Sequence, residues 1–231
     1  MKCLLCVCLA GALGVVADLA LSNVMQSPPM QKGISVQMAV TNNAVPMPEA
    51  DDANAWIVAV VRDGSLFFGT EKVTPSGLAD EMKTRPRNRE QKLYVKADAR
   101  AAFADVRRAL QAGRTVWFEA AVLLTSQPEQ AAPGRMVPPK GLEVLVGVPS
   151  SAQSIVLEVS RSGLPSPRLT VNGAEVSEAA LPETLNRMLQ NRSEKIVVLQ
   201  TNGQLPFSQV AHVIDVCRGT GVKVAVDMPE A

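Results

Sequence analysis

Residues Leu93–Leu110 read LYVKADARAAFADVRRAL, and residues Val197–Ile214 read VVLQTNGQLPFSQVAHVI. Aligned without gaps, Phe103 falls on Phe207, Val106 on Val210 and Leu110 on Ile214. Each stretch opens with a β-rich run, Lys92–Lys96 and Lys195–Gln200, and then turns to apolar residues at helical spacing. The spacing predicts a strand followed by an amphipathic helix, about Ala102–Ala112 in one and Phe207–Arg218 in the other. Gly113 and Gly219 stand where each helix would stop.

Further matches flank this pair in the same order, at a spacing of about 100 residues. Lys32-Gly33-Ile34-Ser35-Val36 matches Lys140-Gly141-Leu142-Glu143-Val144, two extended segments with period-two alternation. Ile57–Val61 matches Ile155–Val159, and each run meets a turn, Arg62-Asp63-Gly64 or Arg161-Ser162-Gly163. Hairpins are expected from Trp56–Val61 with Ser65–Gly69 and from Ser154–Val159 with Arg168–Asn172. Gly69–Thr74 matches Gly173–Ser177. Thr74 then caps a helix with Pro75 at its first position; Ser177 caps the other, with Glu178 in its first turn. A last strand closes each copy, Thr115–Leu124 and Val222–Val226. The expectation is an α+β protein: two tandem two-layer ββαβαβ domains, each a mixed sheet with two helices on one face. Their bounds are 26–125 and 140–231, joined by a Pro-rich linker at 126–139 that carries four prolines. The segment Ala39–Ala53 reads as loop.

Composition narrows the function. The 231 residues hold 23 Lys+Arg against 22 Asp+Glu, so there is no basic footprint for nucleic acid or an anionic membrane surface. Five Phe, two Trp and one Tyr are too few for a stacking surface. One histidine, His212, excludes a His-based metal cluster and leaves any Ser-His-Asp or Cys-His chemistry to that residue alone. On its helix it reads as a partly exposed surface residue. Three of the four cysteines lie in the first eight residues, so no disulfide forms within the folded part. These counts disfavour an enzyme, and no cofactor is expected.

At the N-terminus, Cys3–Ala17 is uncharged, Asp18 interrupts it, and apolar residues continue to Met25. Two readings fit. Fifteen uncharged residues suit a signal peptide cleaved after Val15-Val16-Ala17. Residues 1–25 also suit a membrane anchor that carries one buried carboxylate. Either exports the body of the protein, with Lys2 at the inside end. No cysteine follows the small residue that a lipoprotein cleavage site needs.

The order of an N-terminal apolar segment, Pro-X-X-Lys-Gly-Ile-X-Val, a strand–turn–strand, a helix and Val95-Lys96-Ala97-Asp98 before the Phe103 helix resembles the ExbD/TolR family. The second copy is degenerate here, reading Leu199-Gln200-Thr201-Asn202. The resemblance implies a single-span inner-membrane protein with its α+β domains in the periplasm. It implies a polytopic ExbB/TolQ/MotA-like partner that couples the proton-motive force to transport across the envelope, and further contact with a TonB-like or peptidoglycan-associated protein. It implies family-motif roles for Lys96, Ala97, Asp98 and Phe103. Two departures stand out. Only Met1-Lys2 precedes the span, and the family's span acid would fall at about Gly14–Val15. Asp18, about one turn away, is then the candidate protonatable group; otherwise it is the first mature residue or the solvated end of an anchor.

Asp98 reads as a turn or N-cap residue, or as part of a partner- or peptidoglycan-contact loop. The Lys83–Arg89 basic cluster reads as a solvated loop after the first helix, or as a contact with anionic envelope polymer. The extended segments Gly33-Ile34-Val36 and Gly141-Leu142-Val144 are candidates for pairing at the sheet edge of a neighbouring copy. The result would be a homodimer or an internal pseudo-dimer.

Overall fold

A computed structural model describes residues 33–86, 90–126, 138–147, 154–162 and 166–228. The expected N-terminal helix with Asp18, most of the 126–139 linker and Arg87–Arg89 lie outside the described residues. Among those described, no helix is long and apolar enough to cross a membrane.

The protein is mixed α+β, with a twelve-stranded mixed sheet and four helices among the described residues. The chain first forms β1 (Val45–Pro46) and a 3-10 turn (Pro48–Asp51). Then come β2 (Trp56–Val60), β3 (Leu66–Phe68), β4 (Glu71–Val73), α1 (Leu78–Lys83), β5 (Leu93–Ala97), α2 (Phe103–Thr115) and β6 (Ala120–Thr125). After β7 (Lys140–Leu145) the same order returns: β8 (Ile155–Ser160), β9 (Arg168–Val171), β10 (Ala174–Val176), α3 (Leu181–Leu189), β11 (Ile196–Thr201), α4 (Phe207–Gly219) and β12 (Lys223–Val226). The sheet runs β10-β9-β8-β11-β12-β7-β6-β5-β2-β3-β4, with β1 beside β7.

Within each run the two strand–helix–strand steps give parallel pairs, β2–β5–β6 and β8–β11–β12. The hairpins at both ends of the sheet are antiparallel. The join is β7. It pairs antiparallel with β6 from Ala120↔Leu145 to Thr125↔Lys140 and parallel with β12 at Val224↔Val144 and Ala225↔Leu145. Gly141 makes the β6–β7 contact close, because a side chain there would collide with Val122.

The helices pack on a core that runs without a break across both halves, from Trp56 and Phe68 to Leu185 and Ile214. Their apolar residues recur at helical spacing: Leu181, Leu185 and Leu189 on α3; Phe103, Val106 and Leu110 on α2; Phe207, Val210 and Ile214 on α4. Trp56 packs between Phe68 (tilted) and Phe118 (edge-to-face), with ring centroids 5.5 and 5.6 Å away. A second cluster lies on the opposite side of the first half, where Met47 and Ala50 cover Ile57, Tyr94, Val122 and Leu124.

Several boundaries differ from expectation. β4 and β10 were not read from the sequence. Each is three residues long and too short to show a period. α2 runs through Gly113 to Thr115, and β6 begins only at Ala120. Gly113 is small because Leu93 packs against it, whereas the helix ends at Trp117 in the left-handed region (φ 67°). There the amides of Trp117 and Phe118 donate to Arg114 and Gly113 oxygens, a Schellman end. In α4 the same position is Gly221 (φ 76°). Thr74 caps the turn before α1 through Gly77 N–H (3.1 Å), and Ser177 caps a 3-10 turn (Glu178–Ala180) that leads into α3. Gly33–Met38 forms no strand, with Gly33 and Ile34 in a bend (Gly33 φ 89°); among the described residues it joins no ladder, and the next bridge is Val40 to Ser126, in parallel.

Candidate functional site

The Val95-Lys96-Ala97-Asp98 motif forms the end of β5 and the loop into α2. All five β5 residues are buried. Leu93, Val95 and Ala97 face the helices, and Tyr94 and Lys96 alternate to the other side. Burial lowers the Lys96 ammonium below the usual lysine range, against an opposing pull from Asp51. On the same side burial pushes the Tyr94 phenol up to about 12, helped by Glu49 and Asp52.

Asp98 is only 4% exposed. Its carboxylate accepts from Arg100 Nε (2.8 Å), Arg100 Nη2 (2.9 Å) and Arg100 N–H (3.0 Å), and from Gln37 N–H (3.4 Å). The Arg100 side chain is the main cause that holds the Asp98 carboxyl at about 2, with burial opposing. Ala99 N–H donates back to Gln37 O (2.7 Å). Asp98 therefore shapes a turn and, through the Gln37 amide, ties down the segment that follows Gly33, Ile34 and Val36. It does not cap α2, whose N-cap is Ala102.

The helix starts lack side-chain caps: Ala102 precedes α2 and Pro206 precedes α4. Their free amides are satisfied across the molecule. Phe103 N–H donates to Leu205 O and Phe207 N–H to Ala101 O, each at 2.8 Å. Ala104 N–H donates to Gly203 O and Ser208 N–H to Ala99 O, each at 2.9 Å. Ala102 and Pro206 form the antiparallel bridge between them. Exchanging the two loops leaves the bond pattern unchanged, the mark of a local two-fold contact. Phe103 and Phe207, both fully buried, open α2 and α4 at this contact. Gly141, Leu142 and Val144 lie apart from this contact, in β7.

Other candidates lie elsewhere. His212 Nε2 meets Glu178 Oε1 at 2.7 Å and ties α4 to the turn before α3. Cys217 is buried and its thiol is pushed up to about 12 by desolvation, an unreactive state. Among the described residues no three His, Cys, Asp or Glu side chains gather as a metal site.

Two features were missed in the sequence. Asp215 on α4, 1% exposed, accepts the main-chain amides of Asn42 (2.9 Å) and Asn43 (2.7 Å). Between α1 and α2 lies an open cleft of about 370 Å³, lined by Ser76, Lys83, Arg108, Gln111 and Thr115 among others. The only signal for Asp215 was a lone acid on an otherwise apolar helix face.

No family model, curated protein or solved structure matches the chain.

Proposed function

We propose that this chain is a non-enzymatic, ExbD/TolR-like component of a proton-motive-force-coupled envelope transport complex. It works with a polytopic ExbB/TolQ/MotA-like partner, anchored by residues 1–25 with its body in the periplasm. The two runs of elements are tandem copies of one domain, held as an internal pseudo-dimer. The observation that carries this reading is the reciprocal contact between the Asp98–Ala104 and Asn202–Ser208 loops, four main-chain bonds related by exchange of halves. The motif that carries the family resemblance thus lies beside the joint between the copies.

The test is fractionation of the full chain with intact mass. The reading expects a membrane-bound protein that retains residues 1–17 and co-purifies with a polytopic partner. A soluble product beginning at Asp18 overturns the anchor. The second reading, a secreted periplasmic binding or scaffold module without energy coupling, is favoured by the Val-X-Ala site and by the lack of an acid at Gly14–Val15. Asp18→Asn separates the proton role from both: full transport activity in that variant excludes it.

A further inference from the structure

The chain enters its described body at one end of the first half. A Cβ on Gly33 would stand 3.3 Å from the Gly69 carbonyl oxygen and 3.6 Å from the Ile57 side chain. Gly69 N–H in turn donates to Ile57 O at 2.9 Å, so the entry point is level with the first residues of β2. The registers Trp56↔Leu93 and Leu93↔Ala121 put the starts of β5 and β6 at that same level. The turn that closes α2 leads into β6 and so lies at this end too. Two strand spacings, about 10 Å, separate β2 from β6.

Trp117 is the residue that this turn throws outward. Val116 and Phe118 on either side are buried, whereas Trp117 is 86% exposed. Among the described residues it is the most exposed large hydrophobic side chain. Its left-handed backbone (φ 67°) is fixed by the Trp117 and Phe118 amides, which donate to Arg114 O and Gly113 O at 3.0 Å. The indole is thus held in water at a cost in backbone strain, a pairing that points to a binding role. An indole is apolar in its body and polar at its N–H, which suits the boundary between water and lipid.

The second half lacks this feature. Its matched turn holds Gly221 (φ 76°), where a side chain would meet nothing within 4 Å. Because β6 is antiparallel to β7 and β12 is parallel to it, the turn before β6 lies toward the Leu145 end of β7 and the turn before β12 toward its Lys140 end. Both turns have room for an indole, and only the one at the entry end carries it. The apolar run of the N-terminus stops at Met25, and Gly33 follows eight residues later, a reach of about 30 Å at full extension.

We propose that the first half rests on the bilayer surface, with the Trp117 indole seated among the lipid headgroups. The inference rests on the anchor reading and adds which end of the body meets the lipid. A tether alone leaves the body free to turn; a seated indole fixes its orientation.

The test uses the full chain in vesicles of neutral phosphatidylcholine, so that attraction of arginines to anionic lipid cannot produce the result. Flotation establishes anchoring first. The two tryptophans are the reporters. Trp56 is 4% exposed, and subtracting the emission of Trp117→Phe leaves the signal of Trp117 alone. That signal is expected to be blue-shifted, to resist acrylamide and to be quenched by phosphatidylcholine brominated near the headgroup. Moving the indole, in Trp117→Phe/Gly221→Trp, is expected to abolish the lipid quenching. A protein that floats while Trp117 stays open to acrylamide and unquenched by lipid overturns the inference and leaves the anchor standing. Equal lipid quenching of an indole at position 221 does the same. So does a Trp117 signal shielded only when a co-purified polytopic protein is present, which would make this a protein contact. Failure to float overturns the anchor, and this inference with it.

Discussion

The side chain of Leu93 on β5 occupies the space that a Cβ on Gly113 of α2 would need. At the matched places in the second half stand Val197 and Cys217, a smaller residue facing a larger one. The two pairs divide one volume differently. Gly113→Ala is expected to cost about 1–3 kcal/mol by overpacking. Adding Leu93→Val should recover most of that loss, giving a favourable coupling in a double-mutant cycle read by urea unfolding. Additive losses would show that Gly113 is needed for some other reason.

Asp215 joins α4 to a segment that lies far from it in sequence. Asp215→Ala leaves the Asn42 and Asn43 amides without their buried acceptor and should cost roughly 2–3 kcal/mol. The loss should be local at first. Amide exchange at Asn42 and Asn43 should rise well before exchange in β5 or β11.

The Asp98 carboxyl sits at about 2 when folded, below its ordinary value of 3.8. Its contribution to stability is therefore complete above about pH 5. It fades as the pH falls through the unfolded value and is gone once the pH passes the folded one. Because half-exposed Arg100 is the main partner, that contribution is about 1–2 kcal/mol. Asp98→Asn should lower stability at pH 7 and flatten the acid limb between pH 5 and pH 2. An unchanged limb would place acid sensitivity elsewhere.

Trp117 closes α2 in the left-handed region and is 86% exposed. Such a conformation costs a non-glycine residue of order 1 kcal/mol, and Gly221 avoids that cost in α4. Trp117→Gly should raise the melting temperature slightly. A fall would mean that the indole makes contacts that outweigh the backbone strain.

The elements legible in the sequence were those with a strong period. Phe103, Val106 and Leu110, like their partners on α4, mark a buried helix face that nothing local contradicts. What stayed hidden depended on distant neighbours. Gly113 looks like a helix stop from its position, but its size is set by Leu93 twenty residues away. Ala102 and Pro206 offer no cap, and that lack was itself a signal: the amides they leave open find carbonyls on the opposite loop. β4 and β10 exist because a hairpin return gives them a ladder, not because Glu71-Lys72-Val73 or Ala174-Glu175-Val176 carries a pattern. The candidate motif was found, but not the partners of its Asp98. Arg100 is two residues away and readable, whereas Gln37 comes from a segment that only the folded chain brings near.

The bond exchange between the two helix-entry loops has one more effect. In a pair of identical subunits, a change on one outer surface is repeated on the other. Here both halves belong to one polypeptide, so each position can be altered singly while the joint stays as it is. Gln111 corresponds to Asp215, Arg108 to His212 and Trp117 to Gly221 in the two halves, and in each case the residues differ. The flanks of the two halves can therefore differ while the joint stays the same.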